Sequence, residues 1–332
     1  MSIFRKCLDE ARVSLRRNGS QQRVEQVKRS LVCAITPDKL PESHEISIFC
    51  AGSVARQEAG LNSDLDLFIL HRPGPSGSGQ PQVLSRLHEF VLYSELIRIN
   101  NELKLAEFSN DGEFLRVYPV KEMSSAIGLP RDDHENLFTA RILLLLESRC
   151  LFNDSLYSDA IADVTNAYFR DARDDHTPFR PFFLINDLLR YWRTVCLNYE
   201  TSRYSRSKSW RKKNFNLKFP RMLTVYSTVL AVAVSPNLDK VRFTDLIRRT
   251  PLERLAFALD MMDDSNLLEP FKGILDIYEH FLCAKENHEL ANELPKAMRD
   301  QLSADADQFS DFFQTCLMHT AVPKHMQKVI ML

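Results

Sequence analysis

The chain has 332 residues and a formal net charge of −1, because 43 Lys and Arg nearly balance 44 Asp and Glu. A hydrophobic share of 44% and a charged share of 26% are typical of globular domains, which excludes a disordered chain as the default. The near-neutral balance also excludes a general electrostatic attraction to nucleic acid or anionic membranes, so any such partner must be bound by a local patch.

The cysteine content and the hydropathy of the sequence predict the cellular compartment of the protein. Seven cysteines are scattered along the chain without a C-x-x-C pair, which argues against a disulfide framework and a zinc ribbon. The N-terminal stretch interrupts its apolar residues with charges, and no stretch approaches the roughly 18 uninterrupted apolar residues of a membrane helix. We therefore predict a reducing, cytoplasmic location and no membrane partner.

The predicted elements of the N-terminal part alternate between helix and strand. A charged helical stretch runs from Ile3 to about Val32, and two short apolar runs at 45–52 and 65–70 have the β-rich composition of buried strands. The Gly, Pro and Ser residues at 71–82 predict a surface loop, because these residue types disfavour regular structure.

Helices dominate the predictions for the rest of the chain. A helix is predicted over about 83–100, and a turn at 110–112 leads into a third strand. From about Asn136 onward, beginning with the run at 137–152, apolar residues recur at helical spacing almost to the end of the chain. This pattern predicts a helical bundle.

The segment AGSVARQEAGLNSDLDLFIL, residues 51–70, contains the first chemical signal. Asp64 and Asp66 are two residues apart in the second predicted strand, so both are expected on one side while Leu65 and Leu67 point into the core. Two neighbouring carboxylates repel each other unless a cation lies between them. Mg²⁺, which is commonly held by one or two carboxylates plus substrate phosphates, fits this arrangement.

The first half of the same segment predicts a phosphate site. Gly52 permits close backbone approach, and Ser53 offers a hydroxyl at the start of a helix predicted over 54–59, whose free N–H groups favour an anion. A phosphate site beside a metal site suits nucleotidyl transfer with two metal ions, one activating the attacking oxygen and the other stabilising the leaving pyrophosphate.

These residues resemble a known family. Gly52-Ser53, Arg56, Glu58 and the run Ser63-Asp64-Leu65-Asp66 are similar to the conserved core of the DNA polymerase β nucleotidyltransferase superfamily. The Arg-x-Glu pair followed by Ser-Asp-x-Asp-Leu is especially similar to the bacterial uridylyltransferase of the nitrogen-signalling PII protein and its relatives. Stretches at 136–154 and 183–194 also resemble the helical half of related nucleotidyltransferases.

The resemblance implies roles for the motif residues. Gly52 and Ser53 would hold the phosphates of a nucleoside triphosphate (NTP), and Asp64 and Asp66 would bind Mg²⁺. Arg56 is expected to brace the motif helix together with Glu58, and Arg56 is also a candidate phosphate contact. Ser63 is a further candidate for nucleotide binding.

A third carboxylate on a later strand usually completes the acid cluster of this superfamily and acts as the base on the attacking hydroxyl. Asp111 is our candidate, with Glu113 and Glu107 as alternatives, although Asn110-Asp111-Gly112 is also a favoured hairpin turn. Without a third carboxylate, the chain would be a nucleotide-binding regulatory protein that lacks catalysis.

A basic segment, RYSRSKSWRKKNFNLKFPR at 203–221, interleaves Lys and Arg with Tyr204, Trp210 and Phe215. Such a composition can bind a triphosphate, an RNA acceptor or a single-stranded nucleic acid. A solvated loop between two helices accounts for the same residues.

The sequence therefore predicts an α+β protein: a small mixed-sheet nucleotidyltransferase domain at 1–130, including the N-terminal helix, followed by an all-α helical bundle at 131–332. The predicted reaction is Mg²⁺-dependent transfer of a nucleoside monophosphate from an NTP to an acceptor that is a protein, an RNA or a small molecule. DNA is not an expected partner. The alternatives are a catalytically silent regulatory protein and an RNA-binding or RNA-modifying protein that uses the 203–221 segment.

Overall fold

A computed structural model of the chain describes residues 2–60, 63–73, 84–108, 112, 115–172, 179–205, 210–287 and 294–331. The chain forms two compact units, a sheet unit of Arg16–Ala167 and a helical unit of Met1–Leu15 with Tyr168–Leu332. A small mixed sheet in the N-terminal part is followed by a helical part, which confirms the predicted α+β class. The expected domains, 1–130 and 131–332, stay a prediction; by compactness, residues 131–167 group with the sheet.

The first elements in chain order are α1 (Ile3–Glu10), α2 (Arg16–Ala34), β1 (Ile46–Ala51), α3 (Gly52–Ala55), β2 (Asp66–His71), α4 (Arg86–Glu102), β3 (Val117–Pro119), α5 (Val120–Ser125), α6 (Pro130–His134), α7 (Leu137–Leu146), β4 (Arg149–Phe152) and α8 (Asp154–Tyr168). The later ones are α9 (Phe182–Tyr204), α10 (Trp210–Asn216), α11 (Met222–Val234), α12 (Lys240–Ile247), α13 (Pro251–Met262), α14 (Leu268–Asn287), α15 (Lys296–Leu317) and α16 (Lys324–Met331).

The sheet has the strand order β3-β2-β1-β4. β1 is antiparallel to both β2 and β4, whereas β2 and β3 are parallel. One face of β1 and β2 packs into a buried apolar cluster with α2 and α4. On the other face, Phe49 stacks on Phe68 with ring centroids 5.0 Å apart. The two faces differ in shape, with aliphatic side chains in the cluster and stacked rings on the other face, and a slip by one residue would exchange them.

The structure corrects two predicted elements of the sheet unit. The helix expected over 54–59 is instead a single turn, α3, because Gln57 takes a left-handed φ of 63° that ends it. The end of the apolar run at 137–152 forms β4 rather than helix, because its backbone pairs with the edge of β1. A local helical period could not reveal this long-range pairing.

The helical unit is built around α11, whose side chains are almost all buried and which packs against α9, α13 and α15. The helical stretch Trp210–Val234 is long and apolar enough to cross a membrane, by length and composition alone, and 67% of its apolar window is buried inside the protein. The core helix of a water-soluble protein meets the same criterion. The absence of a membrane partner stays a prediction.

A buried cluster of charges connects the motif turn to the end of α7. The guanidinium of Arg56 donates hydrogen bonds of 2.5 Å to Glu58 and to Glu147, the residue that follows α7. All three side chains are almost completely inaccessible to solvent. Buried charges require partners, so this cluster ties the turn after β1 to the segment that enters β4.

We predict that Arg56→Met destabilises the protein by about 3–5 kcal/mol, because it leaves two buried carboxylates without their cation. Arg98→Met is a matched control: Arg98 also bonds two carboxylates, Glu95 and Glu102, but it lies half-exposed on α4. Exposed ion pairs contribute little, so the control should unfold close to the wild-type urea concentration. Equal effects of the two substitutions on the free energy of unfolding would contradict the structural role of Arg56.

We also predict selective thiol labelling. Cys33 is exposed on α2, whereas burial raises the pKa of Cys50, Cys150 and Cys316 to about 12. Iodoacetamide at pH 8 should therefore modify Cys33 and spare these three, since the thiolate is the reactive form. Peptide mass spectrometry measures the labelling, and in guanidinium chloride all seven cysteines should react. Labelling of Cys50 in the folded protein as fast as Cys33 would refute this prediction.

The same pKa shifts set the sign of an alkaline effect on stability. The folded-state pKa values lie above the value of about 8.5 for an unfolded thiol, so ionisation favours the unfolded chain. The three thiols should therefore lower the free energy of unfolding progressively as pH rises from about 8.5 towards 12. With Cys50 replaced by Ala, the free energy of unfolding, measured by urea denaturation at several pH values, should fall less steeply with pH in this range.

Candidate active site

The turn after β1 has a backbone shape that favours glycine. Gly52 has a φ of +73°, in the left-handed region that residues with a side chain rarely adopt. A Cβ added at this position would lie 2.7 Å from Oδ2 of Asp66. Both the backbone angle and the closeness of this carboxylate therefore require glycine at residue 52.

Ser53 follows within α3 and is almost fully buried. Its carbonyl oxygen accepts a hydrogen bond of 3.0 Å from the N–H of Glu58, which closes the turn. Within the described parts of the chain, no group hydrogen-bonds the Ser53 hydroxyl. The hydroxyl therefore retains both its donor and its acceptor capacity for a ligand.

Asp66 is the first residue of β2, and Asp64 lies two residues before it. The antiparallel register pairs Asp66 with Ala51, the residue before Gly52, which explains why the Asp66 carboxylate is so close to Gly52. Both aspartates are half-buried, whereas Leu65 and Leu67 are buried in the apolar cluster, so the burial alternates along the strand as predicted. The alternation puts the two carboxylates on the same side of the chain.

Residues of α2 hold the segment between the turn and β2. The guanidinium of Arg23 donates to the carbonyl oxygens of Gly60 and Ser63, at 3.1 and 3.0 Å. The Ser20 hydroxyl accepts from the N–H of Ala59, and the Ser63 hydroxyl accepts from that of Gly60, each at 3.0 Å. Ser63 thus stabilises the local turn, and its contact with a nucleotide stays a prediction.

Arg56 has the bracing position that was one of its two expected roles. Its guanidinium faces Glu58 and Glu147 inside the sheet unit and is almost fully buried. This geometry favours bracing over direct contact with a ligand, because the two carboxylates already balance the guanidinium charge. The phosphate contact of Arg56 stays a prediction.

Of the three candidates for the third carboxylate, the structure describes one, Glu107. Asp111 and Glu113 lie outside the described residues, and Glu107 is exposed in the irregular segment after α4. Among the residues that the structure describes, no group of three or more His, Cys, Asp or Glu side chains is arranged to hold a metal ion. The assignment of Asp111 as base therefore stays a prediction.

Several residues that support this site were not found from the sequence. Glu147 carried a usable signal, since it is a lone carboxylate directly after an apolar helix and a charge there needs a partner. Arg149, whose Nε donates to the carbonyl oxygen of Ala55 at 3.1 Å, lies in the strand that was mistaken for helix. Ser20 and Arg23 gave no signal, because only the tertiary fold brings α2 to the motif.

Comparison with known proteins gives one family match. Residues 35–127 match the family model described as a nucleotidyltransferase domain, a range that contains β1, the Gly52 turn, β2 and β3. No curated protein and no solved structure matches the chain. The chain therefore contains a nucleotidyltransferase domain at residues 35–127, consistent with the polymerase β-type nucleotidyltransferase superfamily.

Proposed function

We propose that the chain is a Mg²⁺-dependent enzyme that transfers a nucleoside monophosphate from an NTP to an acceptor and releases pyrophosphate. The observation that carries this proposal is the contact between Gly52 and the Asp66 carboxylate inside the matched domain. A backbone kept free of a side chain beside a carboxylate supports a site where phosphate oxygens and a cation meet.

The residues at the site fit a divalent cation with oxygen ligands. Mg²⁺ is commonly held by one or two carboxylates together with substrate phosphates, and Asp64 and Asp66 supply two carboxylates on one side of the chain. The absence of a side chain at residue 52 lets the Asp66 carboxylate approach the backbone of the turn, because a Cβ there would lie 2.7 Å from its Oδ2. When bound, the proposed pair of cations would stabilise the attacking oxygen and the charge of the leaving pyrophosphate.

The chain's own residues would bind and orient the reactants. The Ser53 hydroxyl would donate to a phosphate oxygen, and the backbone at Gly52 would allow the close approach. In the proposed reaction a bond forms between the acceptor oxygen and the α-phosphorus, while the bond from that phosphorus to pyrophosphate breaks. Asp111 is our candidate to accept the proton of the acceptor hydroxyl.

The finer assignment rests on the resemblance of the motif. Similarity to the PII-modifying uridylyltransferase supports UTP as the first nucleotide to test, with a protein, an RNA or a small molecule as the acceptor. The scattered, free cysteines support a reducing, cytoplasmic location.

A second candidate is a regulatory protein that binds an NTP without turnover. It is the alternative that applies if no third carboxylate accompanies Asp64 and Asp66, and two of the candidate carboxylates, Asp111 and Glu113, lie outside the described residues. The two candidates differ in whether bound nucleotide is consumed.

The transfer itself is the first prediction of this proposal. Purified protein incubated with each α-³²P-labelled NTP, Mg²⁺ and cell extract should label one protein, RNA or small-molecule fraction. The double variant Asp64→Asn, Asp66→Asn should lose at least about 100-fold of this activity, because it removes the carboxylates that would hold the cations. As a control, Asp38→Asn with Asp159→Asn removes two exposed carboxylates of the same unit and should retain activity. Nucleotide binding without any labelling would instead support the regulatory protein.

A glycine pair tests the geometry at residue 52. Gly52 and Gly128 share a left-handed backbone, with φ of +73° and +79°, but a Cβ at Gly128 would meet nothing within 4 Å. Each change to Ala should therefore cost about 1 kcal/mol of stability through its backbone angle. Only Gly52→Ala should also displace Asp66 and slow transfer by about 100-fold, as misplacement of a reacting group does. Equal activity of the two variants would argue against a role for the Gly52 contact.

A further inference from the structure

Positive charge is concentrated in one part of the chain. Residues 190–221 hold ten of the 43 Lys and Arg but only one of the 44 Asp and Glu, Glu200. The remainder of the chain is correspondingly acidic, so this segment differs in sign from the protein that carries it. Two of the ten, Arg206 and Lys208, lie outside the described residues and are not used below.

Some of these charges are balanced by carboxylates. Arg203 pairs with Glu200 at 2.6 Å, and Lys218 lies 3.4 Å from Asp307 on α15. In contrast, within the part of the chain that the structure describes, no carboxylate lies within ion-pair distance of Arg211, Lys212 or Lys213 on α10. Lys212 and Lys213 are exposed, so α10 presents uncompensated positive charge to solvent.

Aromatic side chains lie next to these cations. Tyr204, the last residue of α9, is 92% exposed, which is unusual for a large ring. Nζ of Lys213 donates to the Ser202 hydroxyl at 3.1 Å, so α10 lies against the last turn of α9. The guanidinium of Arg211 is 5.2 Å from the ring centroid of Trp210, in the position of a cation–π contact. Cations and ring faces are thus adjacent on one surface of the helical unit.

We propose that this surface, formed by Tyr204 at the end of α9 and by the basic residues of α10, binds single-stranded RNA. Lys and Arg would contact the phosphates, and the exposed Tyr204 ring offers a face on which an unpaired base can stack. A basic surface that binds an acidic protein would not require the exposed ring of Tyr204. A membrane-binding helix would need an apolar face to insert, yet Phe215, the apolar residue at the end of α10, is buried inside the protein.

This binding goes beyond the proposed nucleotidyl transfer and is measured without any turnover. Full-length protein is titrated into a fluorescein-labelled uridine 20-mer, and fluorescence anisotropy is followed over a series of salt concentrations. We expect binding at low salt that weakens as salt rises, because phosphate contacts release counterions. A duplex of the same length should bind more weakly, since its bases are not free to stack on Tyr204.

Variants assign the binding to the surface. Lys212→Gln with Lys213→Gln should lower the slope of log K against log salt by about 1.4, at about 0.7 per single-strand phosphate contact. Tyr204→Ala should weaken binding at least about 5-fold, whereas Tyr204→Phe, which keeps the ring, should bind as the wild type does. The matched control, Lys240→Gln with Arg248→Gln, removes two exposed cations of α12 and the residue after it, and should leave the slope unchanged.

Several results would overturn the proposal. One is the absence of uridine 20-mer binding at low salt by the wild-type protein. A second is a decrease of the salt slope in the α12 control that equals the decrease in the Lys212→Gln, Lys213→Gln variant. A third is unaltered RNA binding by Tyr204→Ala. Tighter binding of poly-glutamate, or of phosphatidylserine vesicles, than of the RNA would reassign the surface to an acidic protein or to a membrane.

Discussion

The antiparallel pairing of β1 with β2 is the constraint on which the candidate site depends. It sets Asp66 opposite Ala51, and it thereby brings a carboxylate so close to Gly52 that a Cβ would lie 2.7 Å from its oxygen. Because side chains alternate along a strand, the same register places the neighbouring leucines in the core and the aspartates away from it. A slip of one residue would exchange these positions and abolish the site.

Two sets of contacts hold the turn in this geometry. From one side, α2 bonds the segment that leads into β2 through Ser20 and Arg23. From the other, the Arg56 guanidinium and its two carboxylates attach the turn to the residue after α7. The Arg56 set consists of buried charges that bond one another, and such networks make a local conformation unique when every member is bonded, whereas Arg23 is only partly buried. The motif is therefore held in place by residues that lie far from it in sequence.

Sequence reasoning succeeded where the signal was local. The alternation of aspartate and leucine in β2, the glycine-serine turn and the small mixed sheet followed by helices could all be derived from short-range patterns. It failed at β4, because the leucine-rich run before it has a strong helical period and strand pairing with β1 is a long-range interaction. Missing β4 also hid Arg149 and the role of Glu147. The predicted length of the helix after Gly52 was wrong for a different reason. Gln57 ends α3 with a left-handed φ, and nothing in the residue type of a glutamine indicates such an angle.

From the sequence alone, the α+β class and the position of the basic segment could be derived, and Gly52, Ser53, Asp64 and Asp66 could be recognised as a candidate site. These properties follow from residue type and short spacing, which local geometry translates directly into faces and turns. Only the tertiary structure shows which carboxylate lies against Gly52, which charges surround Arg56 and, among the described residues, which cations of the basic segment lack a carboxylate partner. Those properties depend on the distance between residues remote in the chain, and such distances exist only once the strands have paired and the helices have packed.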